Sequence, residues 1–269
     1  MYKICLIAGN GLLPFEILKS FNQNEVFIIC LKESGVSASN FKGYEVLEKS
    51  VFKVGSIIKE IKARKIKQII FVGGIKKPSF YSIKPDLTGF MLMLKILKLK
   101  HKGDDAILKA ITQFLEEKNL ELVGVKDIAS NLILQEVSIT HKTPNDLELK
   151  NINFGLEVLE GISKFDIGQA LVMQDGVVIG VEGVEGTDAL IERCSKICYK
   201  NKSKPILIKA PKVGQTFKID IPVIGLNTIQ NLIKYNFAGV AILAGGTILL
   251  EKEKSKNLAN EAGIFIFCK

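Results

Sequence analysis

Three carboxylates lie within seven residues in the second half of the chain. Glu182 ends an apolar, strand-like run, Glu185 lies in a glycine-bordered turn, and Asp188 follows Thr187 at the start of a helical pattern. Carboxylates concentrated in this way are costly unless a cation or a hydroxyl-rich ligand meets them. Helix capping is an alternative explanation for Thr187 and Asp188, but it does not explain Glu182. The cluster therefore predicts a metal or ligand site.

Asp220 is a second candidate for chemistry. It lies between Ile219 and Ile221, two residues before Pro222, so its backbone is expected to be extended and its side chain to point opposite to those of the two isoleucines. The lysines near it in the sequence are Lys209, Lys212 and Lys218. A carboxylate among lysines suits cleavage of a phosphoanhydride, because the carboxylate binds Mg²⁺ or orients water while the lysines neutralise phosphate charge. An ordinary surface salt bridge explains the same pattern, and the spacing alone does not distinguish between these two explanations.

Two glycine-containing turns follow strand-like runs in the first half, one within Ala8–Pro14 and one within Phe71–Pro78. Such turns, at the carboxyl ends of parallel strands, can bring the backbone close to a phosphate. The full dinucleotide glycine fingerprint is absent, because Pro14 stands where its third glycine would be. A nucleotide contact and a simple tight turn both stay open. The candidate substrate-binding residues here are Gly9, Asn10, Gly11, Gly74, Lys76 and Lys77.

A pair of aspartates, Asp104 and Asp105, follows Gly103 and opens another helical pattern. A carboxylate at this position caps free backbone N–H groups. Capping explains one of the two, and the other is available for a metal or a ligand hydroxyl.

Apolar periodicity predicts the elements that position these residues. The first half alternates strands and helices, which indicates a parallel sheet covered by helices; its strands are predicted at Lys3–Ala8, Val26–Leu31, Lys67–Val72 and Leu120–Gly124. The second half mixes helices with paired strands. One pair is a hairpin turning at Gln174–Gly176, and a second is predicted between Val240–Leu243 and Thr247–Leu250. We therefore predict an α/β protein of two domains, a Rossmann-like parallel sheet domain at 1–130 and a mixed α/β (α+β) catalytic domain at 145–269, joined by a linker at 131–144.

The net charge of +9 is unevenly distributed. Residues 1–130 carry 21 basic and 13 acidic side chains, whereas residues 131–269 carry 16 and 15. The basic half favours an anionic partner such as a phosphate or an acidic lipid surface, although solubility alone explains it equally well. Nucleic acid is not expected as a partner, since the chain has no Trp, only two Arg and no nucleic-acid-binding motif.

Cysteine usage and hydropathy indicate where the protein works. The five cysteines are an odd number, and only Cys194 and Cys198 are close in sequence, with no further Cys or His nearby to complete a zinc set. Buried thiols in a reducing compartment are therefore expected. No run of 18 apolar residues and no signal peptide is evident, so we expect a cytoplasmic protein. The sequence leaves open whether the protein forms a homodimer and whether it contacts the inner membrane peripherally.

Taken together, the motifs resemble those of the UDP-2,3-diacylglucosamine pyrophosphatases of lipid A biosynthesis, of the LpxI type. The resemblance covers essentially the whole chain, and it is specific through the order and spacing of its pieces. Those pieces are Leu6–Pro14, Val72–Ser79, Gly103–Asp105, Asp166–Ala170, Val181–Asp188 and the run from Gly214 to Gly225.

The resemblance implies Mg²⁺-dependent hydrolysis of UDP-2,3-diacylglucosamine to UMP and 2,3-diacylglucosamine 1-phosphate (lipid X), with the lipid product held between two domains. It makes Asp220 the residue expected to be essential. Together with the carboxylate cluster, this gives Asp220, Asp188 and Glu185 as catalytic candidates and Asp220, Glu182 and Asp188 as candidate magnesium ligands. The substrate-binding candidates are then extended by Asp104, Asp105, Thr187, Lys209 and Lys212. A non-catalytic nucleotide- or lipid-binding protein of the same fold is the alternative. The chain departs from the family pattern at Thr216, Leu243 and Gly246, so those positions receive no role.

Overall fold

The computed structural model describes residues 2–74, 84–99, 104–135, 137–212 and 221–269. Contacts divide the chain between Ser130 and Asn131 into two compact units, each with its own central sheet. None of the helices in the described ranges is long and apolar enough to cross a membrane.

The first unit is built on a five-stranded sheet that is parallel throughout. Its strands are β1 (Ile4–Ala8), β2 (Val26–Leu31), β3 (Glu45–Lys49), β4 (Gln68–Val72) and β5 (Glu121–Leu122). They lie in the order β3-β2-β1-β4-β5. β1 and β2 are buried along their whole length, as expected of central strands covered on both faces. The Rossmann-like parallel sheet predicted for this half is confirmed.

The α-helices described in this unit are α1 (Leu13–Leu18), α2 (Val54–Ala63), α3 (Leu87–Leu97), α4 (Asp104–Glu116) and α5 (Val125–Ile128). α2 buries Ile58 and Ile61, at the helical spacing that its sequence predicts. α3 begins at a cap, the Asp86 side chain accepting a hydrogen bond from the Gly89 N–H at 2.8 Å. α3 buries Leu92 but leaves other large apolar side chains exposed, so it is not simply a core helix.

β3 is the strand of the first sheet that the sequence pattern did not predict. Its side chains alternate poorly and include Glu45, Glu48 and Lys49, and it lies at the edge of the sheet. Charged residues are typical of edge strands, where they discourage pairing with other chains. Such a strand lacks the apolar signal by which the other strands of the sheet are recognised.

The second unit contains a mixed five-stranded sheet in the order β12-β10-β8-β6-β7. Its strands are β6 (Ala170–Gln174), β7 (Val177–Val181), β8 (Ile206–Lys209), β10 (Gly239–Ile242) and β12 (Phe265–Cys268). β6 is antiparallel to both of its neighbours, while β8, β10 and β12 are parallel. Two short strands, β9 (Val223–Ile224) and β11 (Ile248–Leu249), form a separate parallel pair. The mixed α/β architecture predicted here is confirmed.

Helices cover both faces of the second sheet; they are α6 (Asp146–Ser163), α7 (Thr187–Ile197), α8 (Leu226–Lys234) and α9 (Lys252–Glu261). Side chains alternate along β6, so that Val172 packs with Leu190 and Ile191 of α7, while Leu171 packs with Ile152 of α6. Each face of the sheet therefore has its own apolar core.

Two local predictions for this half concern its turns. The hairpin between β6 and β7 is confirmed, and Asp175 and Gly176 both have positive φ, at 46° and 80°, as a two-residue hairpin turn requires. The sequence also predicted that Val240–Leu243 would pair with Thr247–Leu250. That pairing is wrong, because β10 pairs with β8 and β12 whereas β11 pairs with β9.

Leu134 and Ile139, within the segment predicted as a linker, are buried in the core of the second unit.

Candidate functional site

The two glycine turns of the first unit meet at one edge of the sheet. β1 and β4 are parallel neighbours, so the turns that follow them emerge side by side. The Asn10 N–H donates to the Gly74 carbonyl at 2.7 Å, and the Gly74 N–H donates back to the Asn10 carbonyl at 2.9 Å. The two motifs that the sequence singled out separately are therefore one structural feature, which we call the glycine bridge (Gly9–Gly11 and Gly73–Gly74).

Packing within the glycine bridge explains two of its glycines. A Cβ on Gly9 would lie 2.6 Å from the backbone of Gly73 and Gly74, and one on Gly73 would lie 2.5 Å from the Asn10 carbonyl. Gly11 has a φ of +105°, which favours glycine, and a Cβ there would meet no atom of the described residues within 4 Å. Asn10 and Gly11 are exposed, and the Asn10 side chain accepts a hydrogen bond from the Gly11 N–H at 2.8 Å. Close backbone approach thus accounts for Gly9, and Asn10 and Gly11 present the solvent-facing side of the turn.

Several candidate residues lie outside the described residues. These are Lys76, Lys77 and Asp220, together with the side chains of Asp104 and Asp105. The backbone of Asp104 begins α4, where the sequence predicted a helix to start.

The central polar cluster of the second unit joins Glu182, Thr187 and Lys209. Glu182 directly follows β7, Thr187 is the first residue of α7, and Lys209 is the last residue of β8. The Thr187 hydroxyl donates to Glu182 Oε1 at 2.6 Å and accepts from Lys209 Nζ at 2.7 Å. The other carboxylate oxygen of Glu182 accepts the Gln169 N–H at 2.8 Å. We call this connected set the hydroxyl relay (Glu182, Thr187, Lys209).

Sheet register brings the hydroxyl relay together. Lys209 is directly opposite Ala170 on β6, and the Glu182 N–H donates to the Ala170 carbonyl at 2.8 Å from the other side. Residues that stand opposite each other in an antiparallel pair point to the same face of the sheet. The small Ala170 side chain therefore lies between the two charged ones, on the face covered by α7.

Burial makes the relay unusual for charged residues. Glu182 is 9% exposed and Lys209 is 7% exposed. Charged groups are buried at this level only when they are paired and hydrogen-bonded. The sequence indicated that Glu182 requires a cation, and the described residues supply one in Lys209, with the Thr187 hydroxyl between them.

Glu185 and Asp188 flank the relay and differ from it in exposure. Glu185 forms an ion pair with Arg193 at 2.9 Å. The pKa of the Glu185 carboxyl is lowered by its own backbone N–H and by Arg193, so the group is a carboxylate at neutral pH. Asp188 is exposed in the first turn of α7, and among the described residues no side chain hydrogen-bonds or pairs with it. Asp188 therefore faces solvent beside Thr187, and its role as a catalytic residue and metal ligand stays a prediction.

Lys212 has an anionic neighbour that the sequence reasoning did not select. Its ammonium group lies 2.5 Å from Asp166 Oδ1, and Asp166 has a φ of +58°. Arg193, the partner of Glu185, was missed in the same way. A signal existed for Asp166, because it opens the Asp166–Ala170 motif that also contains Gln169. Nothing in the spacing indicated Arg193.

The described residues alone do not form a magnesium site. In these parts of the chain no three His, Cys, Asp or Glu side chains gather as a set of metal ligands. Each carboxylate oxygen of Glu182 accepts one hydrogen bond, which leaves one further lone pair on each oxygen. Asp188 is exposed, and Asp220 is not among the residues that the structure describes. The assignment of Asp220, Glu182 and Asp188 as ligands stays a prediction.

Comparison with known proteins accounts for both units. Residues 3–132 match the family model of the LpxI N-terminal domain, and residues 135–267 match that of the LpxI C-terminal domain. A relative from Caulobacter vibrioides, named UDP-2,3-diacylglucosamine pyrophosphatase LpxI, is 27% identical over 271 aligned residues, which cover 99% of this chain and 97% of the relative. Both domain models occur here in order over nearly the full length, so the chain belongs to the LpxI family.

Proposed function

We propose that this chain hydrolyses the pyrophosphate bond of UDP-2,3-diacylglucosamine, releasing UMP and 2,3-diacylglucosamine 1-phosphate in lipid A biosynthesis. The relative's name describes that substrate, and the match extends over both domains. The observation that carries the proposal is the hydroxyl relay, with Asp188 exposed beside it. It places a buried cation and an exposed carboxylate at one edge of the second sheet.

The chemistry of a phosphoanhydride explains why such groups are useful. Water attacks one phosphorus and the P–O bond to the bridging oxygen breaks, and the negative phosphate oxygens repel the approaching nucleophile. Fixed cations lower that repulsion, and they act more strongly where water is excluded. Lys209, buried and held by Thr187, is a cation of this kind. A carboxylate such as Asp188 or Asp220 accepts the proton of the attacking water.

Magnesium dependence is a separate part of the proposal. A bound Mg²⁺ would neutralise phosphate charge and polarise the phosphoryl oxygens. Its support is the family resemblance and the carboxylates at 182, 188 and 220. UMP release measured with magnesium and then with excess EDTA tests it, and full activity in EDTA would remove the metal from the proposal.

The test of the hydrolytic function is release of UMP from purified protein and UDP-2,3-diacylglucosamine, with a matched pair of variants. Asp188→Asn keeps the shape of the side chain and removes its charge, and it is expected to lower turnover at least tenfold. Asp146→Asn is the control, because Asp146 is also an exposed aspartate in the first turn of a helix of the same unit. If the wild-type protein binds the substrate but never releases UMP, the alternative of a non-catalytic binding protein is correct.

Contact with an anionic membrane surface also belongs to the proposal. The apolar side chains that α3 exposes are Leu87, Phe90, Met91, Leu94 and Leu97. Lys84 precedes this helix and Lys98 follows it, and both are exposed. Apolar side chains flanked by lysines are typical of helices that lie in the interface of an anionic membrane. An acylated substrate would be found at such a surface.

A further inference from the structure

The first unit contains an apolar cavity of about 220 Å³ between its sheet and helices α2, α3 and α4. The sheet contributes Ile7, Ile69 and Phe71, and the helices contribute residues that include Ile57, Leu92, Leu108 and Ile111. Among the residues that the structure describes, every side chain lining the cavity is apolar, and Gly9 and Gly73 of the glycine bridge contribute backbone. The cavity therefore extends from the middle of the sheet to the edge where the glycine bridge lies.

The size and lining of the cavity point to a ligand. Protein interiors are close-packed, and voids much larger than a water molecule are few. A dry apolar cavity of about 150 Å³ binds benzene, and sites for drug-sized molecules measure about 300–1,000 Å³. At about 220 Å³ the volume of this cavity lies between those two values, and the described residues that line it offer no polar side chain to hold water. It suits one slender apolar group rather than a whole lipid.

The position of Gly9 and Gly73 determines which end of such a group is polar. These glycines are at the carboxyl edge of the parallel sheet, where open α/β sheets bind the polar parts of their ligands. A ligand entering there would leave its polar atoms at the glycine bridge and place an alkyl chain among Ile57, Leu108 and Ile111.

We propose that this cavity binds one fatty acyl chain, with the polar end of the chain at the glycine bridge. The proposal rests on the proposed function, because the substrate named there carries two acyl chains. It goes further in assigning one of those chains to the interior of the first unit.

A chain-length series on the full-length protein tests the site without the nucleotide. Octanoate, decanoate, laurate and myristate are compared by displacement of a fluorescent fatty acid. Each methylene buried in the cavity is expected to tighten binding about fourfold. The gain should stop once the cavity is full. A series with no gain per methylene, or equal binding of a compact ligand such as benzene, would overturn the inference.

A filling substitution tests whether the series reports on this cavity. Leu108→Phe adds volume inside the cavity and is expected to weaken laurate binding at least tenfold without lowering Tm. Leu147→Phe is the control, the same change at a 48% exposed leucine of α6 in the other unit, and it should bind laurate as the wild type does. If Leu108→Phe lowers Tm, Ile111→Phe provides the same test from the next turn of α4. Unchanged laurate binding in a folded filling variant would overturn the inference.

The same variants separate this inference from the proposed function. In the hydrolysis assay Leu108→Phe is expected to raise KM for the acylated substrate more than it lowers kcat. UMP release without any saturable fatty acid binding would leave the function standing and refute the acyl site. Length-dependent fatty acid binding without UMP release would support the acyl site and refute the proposed hydrolytic function.

Discussion

Replacing Thr187 by valine removes the hydroxyl that connects Glu182 with Lys209. The two side chains have nearly the same shape, so the change deletes the hydrogen bonds at 2.6 Å and 2.7 Å and keeps the packing of α7. Both charged partners then remain below 10% exposure, with the shared hydroxyl gone. The substitution therefore isolates the contribution of one oxygen atom to the second unit.

The magnitude follows from the nature of the two bonds. A hydrogen bond to a charged group contributes about 1.5–3 kcal/mol to stability. Glu182 keeps its hydrogen bond from the Gln169 N–H, so the cost is counted from the two bonds to the hydroxyl alone. Because Thr187 is itself half-buried, the lower end of that range applies. We expect Thr187→Val to lower the free energy of unfolding by about 3 kcal/mol, which corresponds to a fall in Tm of roughly 10 °C for a unit of this size.

Thr187→Ser is the matched control, because serine keeps the hydroxyl and loses only a methyl group. Thermal unfolding followed by circular dichroism at neutral pH compares the two variants with the wild type. The serine variant should melt within a few degrees of the wild type and far above the valine variant. If the valine and serine variants melt together, the relay does not stabilise the unit, and the burial of Glu182 and Lys209 requires another explanation.

Three further predictions concern other parts of the chain. Gly9→Ala should destabilise the first unit by about 1–3 kcal/mol, because its Cβ would lie 2.6 Å from backbone atoms. Gly74→Ala, whose Cβ would meet no described atom within 4 Å, should melt like the wild type. Asp220→Ala should lower turnover by a factor corresponding to about 3–5 kcal/mol, while calorimetry should still detect binding of lipid X. If the folded variant has near-normal turnover, Asp188 or Glu182 becomes the leading catalytic candidate. The protein should float with anionic liposomes and detach from them as the salt concentration rises. Met91→Glu should reduce flotation, whereas the control Ile197→Glu, at an exposed apolar residue of α7, should not. Binding that does not depend on salt would contradict an electrostatic contribution to membrane contact.

Much of the fold follows from the apolar pattern of the chain. β1 and β2 are continuous apolar runs, and the hairpin turn contains an Asp-Gly pair, so both are recognisable locally. β3 escaped prediction because its edge position is compatible with charged side chains, which carry little strand signal. The partner strand of Val240–Leu243 was mispredicted because pairing across a sheet depends on contacts distant in sequence, which periodicity does not report.

The candidate site was predicted in pieces rather than as an arrangement. The sequence singled out Glu182 and Thr187 in one cluster and Lys209 in another. The three meet because β6 lies between β7 and β8, an order that no local pattern specifies. The glycine bridge is similar, since each turn was recognisable but its partner depended on β1 and β4 being neighbours. Residue types were thus accessible from the sequence, whereas partners required the strand order.

Ala170 carries no polar atom in its side chain, yet its size is constrained by the two charged residues on either side of it in the sheet. A larger side chain at this position would occupy the space across which Thr187 connects them. Evolutionary change at the four positions should therefore be correlated: lineages that keep Glu, Thr and Lys should keep a small residue at 170, and those that lose the charges should be free to enlarge it. The residue type at position 170 would in this way depend on a polar site to which its own side chain contributes no polar atom.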